Sequence, residues 1–243
     1  MLTVDFNRLD IQPGATILDI GCGSGRHTCG VYQFHDITVV GSDRSVKDLG
    51  EARNRLLLHD QLGEHGGGKW ALSAADITCL PYKDNCFDLV ICSEVMEHIP
   101  DHRGAVQELV RVLKSGNTLV VSVPRYWPER ICWALSDDYA NSNQGHIRIY
   151  KYAELLAILE SFGLLQVAVH YAHSLHTPFW WLKCAVGPTR TDSGFVNLYN
   201  RFLTWDIMKQ PKVTRLLDRL LNPILGKSIV IYLKKQRGGL RNE

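Results

Sequence analysis

Three glycines in the segment ILDIGCGSGR, Gly21, Gly23 and Gly25, follow an apolar run and precede a run with helical character. Glycine is needed where a tight turn brings the backbone close to a ligand at the carboxyl edge of a parallel sheet. Cys22 lies within the same loop. Because dinucleotide-binding loops use similar glycines, the spacing predicts a nucleoside-type ligand without selecting one.

Acidic residues follow three successive strand-like runs, at Asp19, Asp43 and Asp76. A phosphate favours helix amino-termini and cations, whereas S-adenosylmethionine (SAM) carries an ammonium, a sulfonium and ribose hydroxyls, which favour carboxylates. Asp19 would meet the ammonium, Asp43 the ribose, and Asp76 with Ile77 the adenine ring. The set predicts SAM. NAD is the disfavoured alternative, since Asp43 alone would serve either ribose.

The elements that must position these residues alternate between short β-rich runs and amphipathic stretches. This alternation predicts an α/β fold, a doubly wound parallel sheet covered by helices on both faces. A helix is expected to stop at Lys114–Gly116, where a cation and a glycine typically end one. The predicted strands are Thr16–Ile20, Ile37–Val40, 70–74, Phe87–Cys92, Thr118–Val123, Leu164–Val169 and Ser228–Leu233. The predicted helices begin near Ser24 or span Ser45–His59, Arg103–Leu113, Ala153–Ser161, Leu198–Met208 and Val213–Leu221.

Several motifs in order, LDIGCGSG, GSD, ADITCLPY, FDLVICSEVMEHIPD and ELVRVLKSGNTLVVSVP, resemble those of the class I SAM-dependent methyltransferases. The resemblance covers roughly Gly14–Leu165 and is nearest to small-molecule enzymes such as the ubiquinone-biosynthesis O-methyltransferases. It implies a seven-stranded Rossmann-like sheet whose last strand is antiparallel, with Ser93 beside the cofactor. The predicted cofactor residues are Asp19, Gly21, Cys22, Gly23, Gly25, Asp43, Arg44, Asp76, Ile77 and Ser93.

Two histidines are candidates for a general base. His98, in the Glu97–His98 pair that resembles a pair common in the family, and His146, in QGHIRIY, could take a proton from a phenol, hydroxyl or activated carbon. Either histidine could instead have a structural role. The run His170, His173 and His176 offers nitrogen ligands, but a strand end and a nearby proline argue against one helix face, so no metal site is predicted.

Bulk properties narrow the class. The chain carries 27 Lys and Arg against 25 Asp and Glu with no basic stripe, so nucleic acid is not expected as a partner. Seven cysteines without a Cys-x-x-Cys pair favour reduced thiols and cytoplasm. The charged start MLTVDFNRLD lacks the apolar core of a secretion signal, and no apolar run would span a membrane, which predicts a soluble protein.

The stretch before the last strand departs from the family pattern. The predicted division is a core at 1–171, a helical and aromatic insertion at 172–227, and the last strand with a tail at 228–243. Phe179, Trp180 and Trp181 in the insertion, and an irregular stretch Arg125–Tyr150, are candidates to cover the substrate. The alternatives left open are core packing, peripheral membrane contact or a partner chain.

The predicted function is SAM-dependent methyl transfer to a small, apolar or lipid-like acceptor, on oxygen or carbon. A SAM-binding module without catalysis is the alternative, and an NAD-dependent oxidoreductase is less favoured. The identity of the acceptor and the oligomeric state stay open.

Overall fold

A computed structural model describes residues 2–140 and 146–237. In this part of the chain, seven strands form one sheet in the order β3-β2-β1-β4-β5-β7-β6. The strands are β1 Thr16–Ile20, β2 Thr38–Asp43, β3 Lys69–Ala74, β4 Phe87–Ser93, β5 Leu113–Pro124, β6 Leu164–Ala172 and β7 Ser228–Lys235. The helices are α1 Arg26–Tyr32, α2 Val46–Leu62, α3 His102–Val112, α4 Tyr126–Leu135, α5 Asp137–Ala140, α6 Tyr152–Glu160, α7 His176–Val186, α8 Gly194–Lys209 and α9 Lys212–Leu225.

The sheet is parallel except around β7, which pairs antiparallel with both β5 and β6. The expected seven-stranded, doubly wound sheet with an antiparallel last strand is confirmed. The strand order reverses between β1 and β4, which are parallel neighbours. In such sheets, ligands bind outside the carboxyl ends of the strands at this reversal point.

Both faces of the sheet are buried, because alternate side chains of a strand point to opposite faces. Leu18 and Val90 pack on one face with the buried side of α3, including Leu109. Ile17 and Ile91 pack on the other face. This double burial explains why the central strands are rich in apolar residues instead of alternating between apolar and polar ones.

The predicted helix Arg103–Leu113 is confirmed to within one residue at each end, but the prediction that Lys114–Gly116 form its end is wrong. Helix α3 ends at Val112, and β5 begins directly at Leu113, which pairs with Phe87. The next register pair is Leu89 with Thr118, so the intervening residues bulge out of the ladder. The ammonium of Lys114 satisfies the carboxylate of Asp88 at 2.8 Å instead of capping a helix.

The first part of the stretch Arg125–Tyr150, which was expected to be irregular, contains α4 and α5. Pro128 lies in the first turn of α4, where a missing backbone N–H costs no helical hydrogen bond. Residues 141–145 of the expected stretch lie outside the described residues. In the insertion, α8 and α9 confirm the two expected helices, and α7 precedes them. None of the described helices combines the length and the apolar content needed to cross a membrane.

Candidate functional site

The glycine loop joins β1 to α1 in a conformation that other residues rarely adopt. Gly21 has φ +67°, and a Cβ atom there would lie 2.2 Å from Cγ2 of Val95. Gly25 has φ +79° and directly precedes α1. The loop therefore passes against the segment after β4 with no space for a side chain at Gly21.

Asp43, the last residue of β2, binds the loop. Its Oδ2 accepts from the backbone N–H of Gly23 at 2.8 Å, and its Oδ1 accepts from that of Ser45, also at 2.8 Å. A carboxylate has about four acceptor positions, so two remain for ribose hydroxyls. Asp43 thus fixes the loop and keeps acceptor capacity for a ligand.

Asp19 is buried beneath the loop. Its Oδ2 accepts from the hydroxyl of Thr28 at 2.6 Å. Burial raises the pKa of Asp19 to about 6, although the Thr28 hydrogen bond opposes this shift. The neighbouring thiol of Cys22 has its pKa raised by burial and by the Asp19 charge, so it is held as an unreactive thiol.

A cavity of about 350 Å³ opens beside the loop at the ends of β1, β2 and β4. Five predicted cofactor residues line it: Gly21, Asp43, Arg44, Asp76 and Ile77. The other five, Asp19, Cys22, Gly23, Gly25 and Ser93, are not in its lining. Ser93 instead lies in the interior, with its Oγ 2.8 Å from Oγ of Ser122. The cavity lies within the size range of small-molecule sites.

The carboxylate of Asp76 closes a turn at the edge of this cavity. Its Oδ1 accepts from the hydroxyl and the backbone N–H of Thr78, at 2.7 and 2.8 Å. These hydrogen bonds lower the pKa of Asp76. An ionised acceptor is therefore held next to Ile77, which offers an apolar surface to a ring.

Glu94 also lines the cavity and was not predicted as a site residue. It has φ +58°, a conformation that costs free energy for any residue other than glycine and is concentrated at functional sites. Its Oε1 accepts from the hydroxyl of Ser122 at 3.0 Å. In the sequence, Glu94 is only one more acid in SEVMEHIPD, and nothing local reports its backbone conformation.

The two predicted bases are brought together. The ring centroids of His98 and His146 are 5.1 Å apart. Nε2 of each ring lies 4.0 Å from Oε1 of Glu97, which is buried. His98 also lines the cavity of about 350 Å³, so this histidine pair adjoins the predicted cofactor site.

Two buried glutamates surround this pair. Oε1 of Glu129, on α4, lies 2.6 Å from Nδ1 of His146. Burial acts to raise the pKa of Glu129, but the hydrogen bond and charge of His146 lower it overall. Burial, followed by the charge of Glu94, raises the pKa of Glu97 well above its usual value. Neither Glu97 oxygen accepts a hydrogen bond from the described residues. Glu129 was not predicted as a site residue, and it lies in the stretch that was expected to be irregular.

Spacing would allow a cation at this cluster. Glu97, His98 and His146 offer ligand atoms within 4.8 Å of one another, the only such group among residues 2–140 and 146–237. Two histidines of the run His170, His173 and His176 contact the amino-terminal segment instead. Nε2 of His173 lies 3.0 Å from the hydroxyl of Thr3, and Nε2 of His170 lies 3.3 Å from its carbonyl oxygen.

The aromatic residues of α7 divide between two roles. Phe179 packs in a small core with Val196 and Leu203 of α8. Trp180 stacks at a tilt near Tyr139, with centroids 5.9 Å apart, and Tyr139 in turn contacts the ring of His146. Trp180 thus reaches the histidine pair through one intervening ring. The indole N–H of Trp181 donates to the carbonyl of Pro128 at 3.1 Å.

A larger cavity, of about 810 Å³, lies elsewhere, between the amino-terminal segment, β6 and α9. It contains none of the predicted site residues. Position at the strand-order reversal, and not size, therefore identifies the candidate site.

The strand order is that of the class I SAM-dependent methyltransferase fold, and the glycine loop and the carboxylates lie at the edge of the sheet where that fold binds its ligand. Residues 18–121 match the family described as methyltransferase domain.

Parts of two curated methyltransferases are similar to part of this chain. The chain is 32% identical over 120 residues to methyltransferase GfsG of Streptomyces halstedii, covering 48% of this chain and 40% of that protein. It is 29% identical over 142 residues to sterol 24-C-methyltransferase erg6 of Schizosaccharomyces pombe, covering 58% of this chain and 34% of that protein. The match thus spans less than half the length of either relative.

A solved structure shares the fold over nearly the whole chain. The [4+2]-cyclase SpnF superimposes with a TM-score of 0.61 at 20% identity, covering 96% of this chain and 79% of that one. At this identity the likeness shows the fold alone.

Proposed function

We propose that this protein transfers a methyl group from SAM to a small, apolar acceptor, on oxygen or carbon. One observation carries the proposal. The segment from Glu94 to His98 lines the cofactor cavity with Glu94, Val95 and His98, and it also supplies Glu97 to the histidine pair. A methyl donor in that cavity would therefore adjoin groups that can bind and deprotonate an acceptor.

The residues of the cavity fit SAM. Asp43 offers acceptor positions for ribose hydroxyls, and Asp76 with Ile77 offers an ionised oxygen and an apolar surface for adenine. Asp19, beneath the loop, adds negative charge near the predicted position of the ammonium. When bound, SAM supplies an electrophilic methyl group on its sulfonium.

The chain's own residues would then prepare the acceptor. Glu129 holds Nδ1 of His146, which leaves Nε2 as the position that takes a proton from an acceptor hydroxyl or carbon acid. His98 is the second candidate at the cavity wall. Tyr139 and Trp180 cover the histidine from the side of α7 and exclude water there. Holding the acceptor in line with the methyl group supplies much of the acceleration.

An apolar acceptor is supported by these aromatic neighbours and by a relative described as a sterol 24-C-methyltransferase. Such an acceptor dissolves in lipid, so the proposal includes peripheral contact with a membrane. Cytoplasmic location is also proposed, and all seven cysteines are free, as in a reducing compartment.

A second candidate is a domain that binds SAM without transferring its methyl group. The observation that favours it is the shared fold with a protein described as a [4+2]-cyclase, because one fold supports different reactions. An NAD-dependent oxidoreductase remains the less favoured alternative.

Calorimetric titration with S-adenosylhomocysteine and with NAD tests the cofactor. Binding of the first and not the second is expected, and the reverse would overturn the proposal. Protein loaded with S-adenosylhomocysteine is then used to capture metabolites from an organic extract, which are identified by mass spectrometry and incubated with labelled SAM. Labelled product supports transfer. S-adenosylhomocysteine binding with no captured compound converted supports the second candidate. Turnover is also measured after EDTA treatment. Unchanged turnover supports a proton-transfer role of His146, whereas lost turnover supports a cation bound by Glu97, His98 and His146.

A further inference from the structure

Helix α9 turns its apolar side outward. Val213, Leu216, Leu217, Leu220 and Ile224 are 44–69% exposed. At 3.6 residues per turn, these positions form a single stripe along the helix. A helix packed on a globular core shows the opposite arrangement, with the apolar stripe facing inward.

Polar contacts hold α9 in this orientation. Oδ1 of Asp218 accepts from the hydroxyl of Ser174 at 2.7 Å and from the backbone N–H of Leu175 at 3.2 Å. Oδ1 of Asn222 accepts from the backbone N–H of Ser174 at 2.9 Å. Rotating the helix to bury its leucines would break these hydrogen bonds, so the exposed stripe is a built feature of the fold.

The charges around the stripe have one sign. Arg201, Lys209, Lys212 and Arg219 are exposed on α8 and α9. The two acids of these helices point inward, since Asp206 is fully buried and pairs with Arg215, and Asp218 binds Ser174. Trp205 and Met208, near the end of α8, are also exposed. An apolar stripe bordered by cations, with a nearby tryptophan, is the composition of a helix that lies in a membrane interface.

We propose that α9 docks on an anionic lipid surface, with its apolar stripe in the interface and Lys212 and Arg219 near the lipid headgroups. Contact between two copies through this stripe would bring like charges together, whereas anionic lipid neutralises them. With no membrane-crossing helix among the described residues, this contact is peripheral. The link to catalysis rests on the proposed function, because a lipid-soluble acceptor would be drawn from that surface. Docking itself needs neither SAM nor turnover.

Vesicle co-sedimentation of the full chain tests docking. Vesicles are made from phosphatidylcholine alone or from equal parts of phosphatidylcholine and phosphatidylglycerol. The double variant L216Q/L220Q removes two leucines that are 56% and 63% exposed. Its matched control is L58Q/L62Q on α2, with the same spacing and exposures of 50% and 62%. We expect binding to the anionic vesicles, weakened about tenfold or more by L216Q/L220Q and unchanged in the control.

Two further measurements distinguish the contribution of charge to vesicle binding from that of apolar burial, and distinguish vesicle binding from dimerisation. K212Q/R219Q is expected to reduce binding to anionic vesicles and its sensitivity to salt, since screened cations carry that part of the attraction. The proposal would be overturned if L216Q/L220Q and L58Q/L62Q weakened vesicle binding equally, or if the protein did not bind vesicles at low salt. A dimer in sedimentation equilibrium that L216Q/L220Q dissociates and vesicles do not would also overturn it. S-adenosylhomocysteine affinity, measured on the same variants, is expected to be unchanged, which keeps this test separate from that of the proposed function.

Discussion

Glu129 and His146 are joined by a hydrogen bond of 2.6 Å between Oε1 and Nδ1. The bond connects α4 to the segment before α6, and Nε2 of His146 lies 4.0 Å from Oε1 of buried Glu97. A carboxylate on one ring nitrogen fixes which nitrogen is left to exchange a proton. Glu129 is thus a positioning residue for His146, in a helix that the sequence did not predict.

The variant Glu129→Gln tests this role. A Gln side chain keeps the shape but removes the charge, so kcat is expected to fall about tenfold to hundredfold, which is at or below the roughly hundredfold to ten-thousandfold contribution of a positioned base. The KM for SAM should stay unchanged. Glu129→Asp should restore part of kcat because the carboxylate returns. A purely structural role predicts the reverse, with lower thermal stability and an unaltered kcat per folded molecule.

Gly21→Ala is expected to abolish detectable S-adenosylhomocysteine binding, because the new Cβ would lie 2.2 Å from Val95. Gly63→Ala is the matched control. Gly63 has nearly the same φ, +65° against +67°, and nothing within 4 Å of a built Cβ. The control should lose about 1 kcal/mol of stability with binding intact. If both variants bind equally well, the close approach to Val95 has no role in the cofactor site.

Asp19 should oppose folding in the absence of ligand. Its pKa is raised from 3.8 to about 6 in the folded state, so the folded protein binds the proton more tightly than the unfolded chain. The ionised carboxylate therefore destabilises the fold fully above about pH 6, and this cost disappears as pH falls below 3.8. Asp19→Asn is expected to raise the free energy of unfolding by about 1–3 kcal/mol at pH 7.

The same substitution should weaken S-adenosylhomocysteine binding by about 1–3 kcal/mol, the usual loss of a charge-assisted hydrogen bond. Urea unfolding from pH 4 to pH 7 and calorimetry at pH 7 measure the two effects. Stability curves of the variant and the parent that stay parallel over this range would contradict the raised pKa.

Trp180→Ala is expected to leave SAM affinity intact and to lower turnover, because it removes the ring that covers Tyr139 beside His146. Phe179→Ala is the comparison, since Phe179 packs in the α7–α8 core. It should cost about 3–5 kcal/mol of unfolding free energy without changing turnover per folded molecule. Loss of stability alone in Trp180→Ala would refute its role as a cover for the acceptor.

The sheet was predictable because its strands are buried on both faces. Such strands appear as short runs rich in apolar residues, as in Thr16–Ile20 and Phe87–Ser93, and the acids near the ends of the strands follow by position. The boundary between α3 and β5 was not predictable. Lys114 and Gly116 are residue types that commonly end a helix, but in the structure the ammonium of Lys114 donates to the carboxylate of Asp88. The local sequence around Lys114 does not indicate that Asp88 is its partner.

The site beyond the cofactor was less predictable. Glu129 and His146 meet through tertiary packing, and Glu94 is distinguished by its φ of +58°, which no neighbouring residue type implies. The apolar period of α9 indicates a helix but not which side faces the protein. The side of α9 that faces the protein is set by the hydrogen bonds of Asp218 and Asn222 with Ser174.

The five residues from Glu94 to His98 touch both halves of the site, and this imposes a thermodynamic constraint. If one bound ligand favours a small displacement of this segment, that displacement also changes the site to which the other ligand binds. Coupling free energy between two binding events is reciprocal. If SAM increases affinity for the acceptor by some factor, the acceptor must increase affinity for SAM by that same factor. Product inhibition by S-adenosylhomocysteine would then depend on acceptor concentration, so that release of the spent cofactor is eased when the methylated product leaves first.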